Sequence, residues 1–191
     1  ERFAGFDRTD RYDGGELINV YRTFSKKGGG EEKELLLLHN RDDIGGMFAV
    51  TAYYALDSLM AGHFSVTDAR IESAASAEKS FVIIARPAYP LPVPVHRADG
   101  TGSFSGEGAK IRFELPLVGG RCRYFLADYR NYVYLTKEDM AVHKDVGRFV
   151  DPAYRKKASR DTCYTWFEVT EDTVRDHALL GKVCEGFLRH F

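Results

Sequence analysis

Residues 31–50 read EEKELLLLHNRDDIGGMFAV. Four leucines in succession, Leu35 to Leu38, spread around a helix axis at 3.6 residues per turn. A helix that is apolar on every side is ordinarily buried. Yet His39, Asn40, Arg41, Asp42 and Asp43 sit in the middle of this one. His39 and Asp43 are four apart, so they share a face and act on the same object. Leu35, Leu36, Gly46, Met47 and Val50 fall near that face, which predicts that the pair looks into protein or a cleft. A carboxylate placed there needs a cation, a donor or a proton. A metal ion is the expected cation. The plainer alternative is an Arg or Lys from elsewhere on Asp43, with His39 bonded to a carbonyl.

Upstream, residues 1–13 are polar and irregular. Asp13-Gly14-Gly15 is a turn and helix start. Leu17, Val20, Tyr21 and Phe24 recur at helical spacing, so Glu16 to Ser25 is predicted helical. Lys26 to Gly30 ends that helix in a loop. The next helix starts near Glu31 and its apolar pattern runs to about Met60, a length of roughly 45 Å. Gly45-Gly46, or the residues before Asp57, are the expected places for a bend or break.

The sequence DRYDGGELINVYRTF together with LLLLHNRDDIGGM resembles the last part of a bacterial ribonuclease H-like exonuclease domain of the DEDD class. The stretch YRNYVYLTKEDMAVHKDVGRFVDPAYRKKASRDTCYTW resembles the tail that follows such a domain. The resemblance covers residues 11–60 and 121–166. It implies that His39 orients the attacking water and that Asp43 binds one of two divalent metals, Mg²⁺ or Mn²⁺, with Asp42 as the fallback ligand. The His commonly stands five residues before this Asp and a Tyr four; here a His stands four before. The class also needs an Asp-x-Glu and a further Asp upstream. Neither has a place in this sequence, and the chain opens on Glu1, so it is expected to be a fragment without nuclease activity of its own.

After Gly62 the pattern changes to strands. Phe64 to Ile71 and Ser80 to Ala85 are rich in β-branched and aromatic residues. Pro87, Pro90, Pro92 and Pro94 predict an extended edge or loop, and Ala98 to Gly102 a turn. Ala109 to Leu117, Arg121 to Ala127 and Tyr129 to Leu135 follow as strands, the first two joined at Gly119-Gly120. Residues 136–160 are predicted helical in two pieces, capped by Thr136 and by Asp151 before Pro152. Glu171 to Phe191 is an amphipathic helix. The fold class is therefore α+β: a helical remnant of an RNase H-like core (1–60), then a mostly antiparallel β domain with C-terminal helices (61–191).

The 191 residues carry a net charge of −1 and 44% hydrophobic residues, so no global field draws in nucleic acid and any such surface is a local patch. Arg121 and Arg123, beside tyrosines, and Lys144, Arg155 and Lys156 of a basic cluster over residues 143–160, whose alternative is a plain solvated face, are the expected phosphate contacts. For the two arginines, a β-sheet with tyrosines packed on its face is the alternative. Cys122, Cys163 and Cys184 have no paired spacing, which favours a reduced, cytoplasmic chain. Cys163 is expected to be a buried structural thiol rather than a nucleophile beside His143. No run is long enough to span a bilayer. The expected function is part of a metal-dependent 3′–5′ exonuclease acting on DNA or RNA. The alternatives are a non-catalytic accessory domain that binds nucleic acid or protein, and a tail that closes the nuclease core.

Overall fold

Asp13 starts the first helix by reciprocal capping. Its Oδ1 accepts from the Glu16 N–H at 2.8 Å, and Glu16 Oε2 accepts from the Asp13 N–H at 3.0 Å. Two orphan donors of the first turn are thereby satisfied. Helix α1 spans Gly14–Lys27. It ends at Gly28, whose φ of 66° lets its N–H turn back to the Phe24 carbonyl at 2.8 Å, a left-handed cap that glycine adopts without strain. Helix α2, Gly30–Met60, is continuous over 31 residues. The glycine pair does not interrupt it. Gly45 instead packs against Phe6, whose ring atoms lie 2.6 Å from where a Cβ would be.

The computed structural model describes residues 6–73 and 79–190. The readings of residues 1–5 and of Phe191 lie outside them. The chain divides into two compact units, Glu1–Tyr54 and Ala55–Phe191. Ala55 and Leu59, in the last turns of α2, are buried in the core of the second unit.

That second unit is mixed, with mostly antiparallel sheets. Strands β1 (Phe64–Ser73), β2 (Lys79–Pro87), β3 (Leu91–Asp99), β4 (Gly102–Gly108) and β5 (Lys110–Pro116) form one sheet in the order β1-β2-β5-β4-β3. Strand β2 is central and apolar on both faces; Phe81, Val82 and Ile83 are fully buried. On one face, Phe81 and Ile83 join Ile111, Phe113 and Leu115 in the main core. On the other, the register sets Val82 between Arg70 and Glu114, and Ile84 between Asp68 and Arg112. Those charged side chains form a lattice. Arg112 reaches Glu72 at 2.6 Å, and Arg70 reaches Asp68 at 2.6 Å and Glu72 at 2.7 Å. Their aliphatic stems cover the valine and isoleucine while the heads stay wet. Edge strand β3 takes up Pro92 and Pro94, and its pairing with β4 slips between Leu91 and Val95. An edge is where proline is tolerated in a sheet.

The chain then builds two smaller sheets. One pairs β6 (Arg121–Phe125) with β10 (Tyr164–Glu168). The other has the order β8-β7-β9, from β7 (Tyr132–Leu135), β8 (Met140–His143) and β9 (Arg155–Lys157). Helices α4 (Glu171–Arg175) and α5 (His177–His190) close the unit, with a one-turn helix, α3 (Lys144–Gly147), between β8 and β9. Phe187 of α5 meets Phe113 edge-on at 6.3 Å, a favoured aromatic geometry. Gly186 lets α5 approach β6: a Cβ there would lie 2.3 Å from the Phe125 carbonyl oxygen.

The two helices expected over residues 136–160 are not formed; this segment is β-hairpin, single turns and a short strand. The hairpin turns on Asp139, a non-glycine residue at φ 52°. The phenols of Tyr134 and Tyr164 both donate to its carboxylate, and Trp166 Nε1 donates to its carbonyl at 2.8 Å. These bonds hold a backbone conformation that an L side chain resists. Asp151 does accept from the Ala153 N–H at 2.9 Å, with Pro152 next, but the turn it caps is a single 3₁₀ turn, Pro152–Tyr154.

Candidate functional site

Adjacent residues on a helix diverge by about 100°, so Asp42 and Asp43 of α2 meet different surroundings. Asp42 turns onto the segment 6–13 and is buried. Its Oδ2 accepts from the Thr9 N–H at 2.6 Å and the Asp10 N–H at 2.8 Å. The Asp10 N–H, with Thr9's behind it, holds the Asp42 carboxyl below its usual range against the opposing effect of burial. The oxygen offered as the fallback metal ligand is thus committed to fixing backbone.

That fixed backbone delivers Asp10 to His39. The Asp10 side chain is fully buried, and its Oδ2 is in hydrogen-bond contact with His39 Nδ1. The Tyr12 N–H donates to its Oδ1 at 2.8 Å, and Arg8 Nη2 lies 3.2 Å from Oδ2. The Tyr12 bond first, then His39 and Arg8, keep Asp10 below the ordinary carboxylate range although burial opposes them. An ionised carboxylate only accepts, so in its bond to Asp10 the Nδ1 of His39 is the donor, with Arg8 Nη2 also 3.2 Å from that nitrogen. In the neutral ring the lone pair then lies on Nε2. That nitrogen stands 3.3 Å from Asp43 Oδ2.

Asp43 is the open member of the group, its side chain 48% exposed. The cation beside it is the Arg8 guanidinium, 2.7 Å from Oδ1. The helix face around it is also more open than the sequence pattern predicts: Met47 and Val50 are exposed. Among the described residues no three His, Cys, Asp or Glu side chains are grouped to hold a metal ion. Asp43 and His39 Nε2 offer two donors, and Asp42 and Asp10 are occupied by hydrogen bonds. These residues by themselves do not make a divalent-cation centre. What they do make is an imidazole locked in one orientation by a buried acid, with a second, accessible acid at its other nitrogen. Outer partners of this kind fix a ring's tautomer and direction.

The expected phosphate contacts belong to the second unit and fall into three situations. Arg121 and Arg123 lie over the Trp166 ring at 5.3 and 5.4 Å, and Arg123 over Tyr164 at 4.5 Å. Arg155 donates to the Gly147 carbonyl at 2.6 Å and so holds the turn after α3. Lys144 and Lys156 are exposed. Near them in sequence are exposed apolar groups, above all Phe149 at 79%, with the Arg148 guanidinium 4.8 Å from its ring.

All three cysteines are buried and free. Burial pushes the Cys122 thiol up to about 12 and Cys163 to about 11, so neither is a thiolate nucleophile at neutral pH. Sequence reasoning missed Asp10 and Arg8, which it left within a polar, irregular segment. The one available signal was a demand: a helix with five consecutive polar residues in its middle needs partners, and the segment preceding α1 supplies them. Searches among protein-family models, curated proteins and solved structures find no match to this chain.

Proposed function

We propose that the first unit carries the last acidic motif of a ribonuclease H-like 3′–5′ exonuclease, with Asp43 as its metal-binding carboxylate and His39 as its water-orienting base. The observation that supports this reading is the Asp10–His39–Asp43 alignment. Buried Asp10 accepts from the Nδ1–H, which in the neutral ring leaves Nε2 as the basic nitrogen, beside a carboxylate open to solvent. A general base needs this arrangement: one nitrogen held, the other presented. Asp42 has a supporting part, holding the backbone that carries Asp10. Mg²⁺ or Mn²⁺ would bring Lewis acidity toward a phosphodiester, and carboxylates from outside this chain would have to complete its site.

The test is a longer protein that joins this chain to the reading frame upstream of Glu1. It is expected to contain an Asp-x-Glu in a strand and to shorten oligonucleotides from the 3′ end only with Mg²⁺ or Mn²⁺. Asp43→Asn is expected to abolish that release. His39→Ala is expected to slow it. Metal-independent release, or full activity in Asp43→Asn, defeats the reading.

A second reading, a non-catalytic nucleic-acid-binding module, is favoured by one feature: exposed Phe149 beside Arg148, with Lys144 and Lys156 on the same unit. Aromatic rings with nearby cations bind single strands by stacking and phosphate contact. A gel shift of a single-stranded oligonucleotide at low salt that is lost in Phe149→Ser identifies that module; no shift removes it.

A further inference from the structure

We propose that the second unit holds a phosphate-binding pocket between the loop after β6 and the last turn of α5. A cavity of about 210 Å³ opens there, lined by Phe125, Asp128, Tyr129, Arg160, Arg189 and His190 among others. At roughly 30 Å³ per water, it has room for a tetrahedral oxyanion and part of the group attached to it. Its floor is firm. The Phe125 ring stacks on the His190 imidazole, with centroids 4.0 Å apart and planes at 17°. Gly186 presses the helix against β6, where a Cβ would come 2.3 Å from the Phe125 carbonyl oxygen.

Two of its lining residues are arginines. Arg160 arrives from the loop before β10 and Arg189 from α5, so arginines from separate elements line one cavity. Arg160 makes no ion pair among the described residues. Arg189 has only Glu185, at 3.4 Å, with both side chains substantially exposed. The lining offers one carboxylate in return, Asp128, which already accepts from the Asn131 amide. Arg130 stands 5.8 Å from the Tyr129 ring.

Two arginines on one small concave site suit a dianionic phosphate better than a singly charged carboxylate, because two positive charges match two negative ones and each fork can hold a pair of its oxygens. The half-open Tyr129 ring supplies a face for a base next to that phosphate. The ligand class is therefore a phosphate dianion, either free inorganic phosphate or the phosphomonoester at the end of a nucleic-acid chain. The pocket does not depend on the exonuclease reading, because none of its residues belongs to the Asp10–His39–Asp43 group.

The experiment is a titration of the full chain with inorganic phosphate at low ionic strength, followed by backbone NMR. Shifts are expected to concentrate at Ala127, Arg160, Gly186 and Arg189. Arg160→Gln and Arg189→Gln should each weaken binding about fivefold or more, the loss of one charge-assisted fork. Arg175→Gln, on an exposed arginine elsewhere, and Asp43→Asn should leave it unchanged. A second arm compares 5′-phosphorylated with 5′-hydroxyl oligonucleotides. A preference for the phosphorylated strand that disappears in Arg160→Gln assigns the pocket to nucleic-acid ends; phosphate binding without that preference assigns it to free phosphate. Phosphate shifts that survive unchanged in Arg160→Gln/Arg189→Gln, or that never touch these residues, overturn the proposal.

Discussion

Two apolar runs in this chain meet opposite fates. Residues 81–85 of β2, FVIIA, are buried on both faces. Residues 47–50 of α2, MFAV, leave Met47 70% and Phe48 71% exposed among the described residues. The residue types are equally apolar; the neighbours differ. One face of β2 meets the aromatic core, and the other lies under the stems of Arg70 and Arg112. The comparison teaches that hydrophobicity sets a demand for burial, while topology decides whether that demand is met.

The largest effect should separate these regions outright. Phe187→Ala, in the core with Phe81 and Ile83, is expected to cost about 3–5 kcal/mol. Phe48→Ala should stay within about 0.5 kcal/mol. Denaturant unfolding followed by fluorescence and circular dichroism measures both. A comparable loss for Phe48→Ala breaks the comparison, because it means that this side of α2 is covered in solution.

A smaller contrast lies between two glycines. Gly186→Ala forces a methyl against the Phe125 carbonyl, which is backbone, and should cost about 1–3 kcal/mol. Gly45→Ala meets only the Phe6 ring, a side chain near the start of the described chain, and gains about 1 kcal/mol in helix propensity. It is expected to be close to neutral. The difference in thermal midpoint between the two variants reads out how rigidly each helix is seated.

The smallest expected effect is present at neutral pH and fades in acid. The Arg112 hydrogen bonds hold Glu72 down to about 2 from 4.5. A carboxylate depressed in the folded state stabilises fully above its unfolded value, and that stabilisation is lost as pH falls through the folded one. The Glu72 contribution should therefore be intact above about pH 4.5 and fade toward pH 2. Asp10 and Asp42 carry the same sign in the first unit. Glu72→Gln should flatten the acid limb of the melting curve of the second unit, and Asp42→Asn that of the first. Unchanged acid limbs would show that these bonds do not persist in solution.

Much of the architecture was legible because it is local. Leu17, Val20, Tyr21 and Phe24 announce α1, and the β-branched and aromatic runs after Gly62 announce the sheet. Pro92 and Pro94 mark the edge on which they are found. Residues 136–160 defeated the same reasoning for a physical reason. Their hairpin turns on Thr-Lys-Glu-Asp, with no glycine, and the left-handed Asp139 is held by Tyr164 and Trp166, more than twenty residues away. Of the candidate site, the proximity of His39 and Asp43 follows from helical spacing alone. The roles of Asp10 and Arg8 do not. They come from a segment with no periodicity, so nothing local assigns them to α2.

The two prolines of β3 have a consequence beyond the strand that holds them. An imino nitrogen cannot donate, so at positions 92 and 94 this rim of the sheet lacks the regular ladder that a foreign strand would copy. A chain that displays bare apolar side chains on one unit is at risk of self-assembly. On the other unit, the outermost strand of the largest sheet is built so that polymer growth finds no template there.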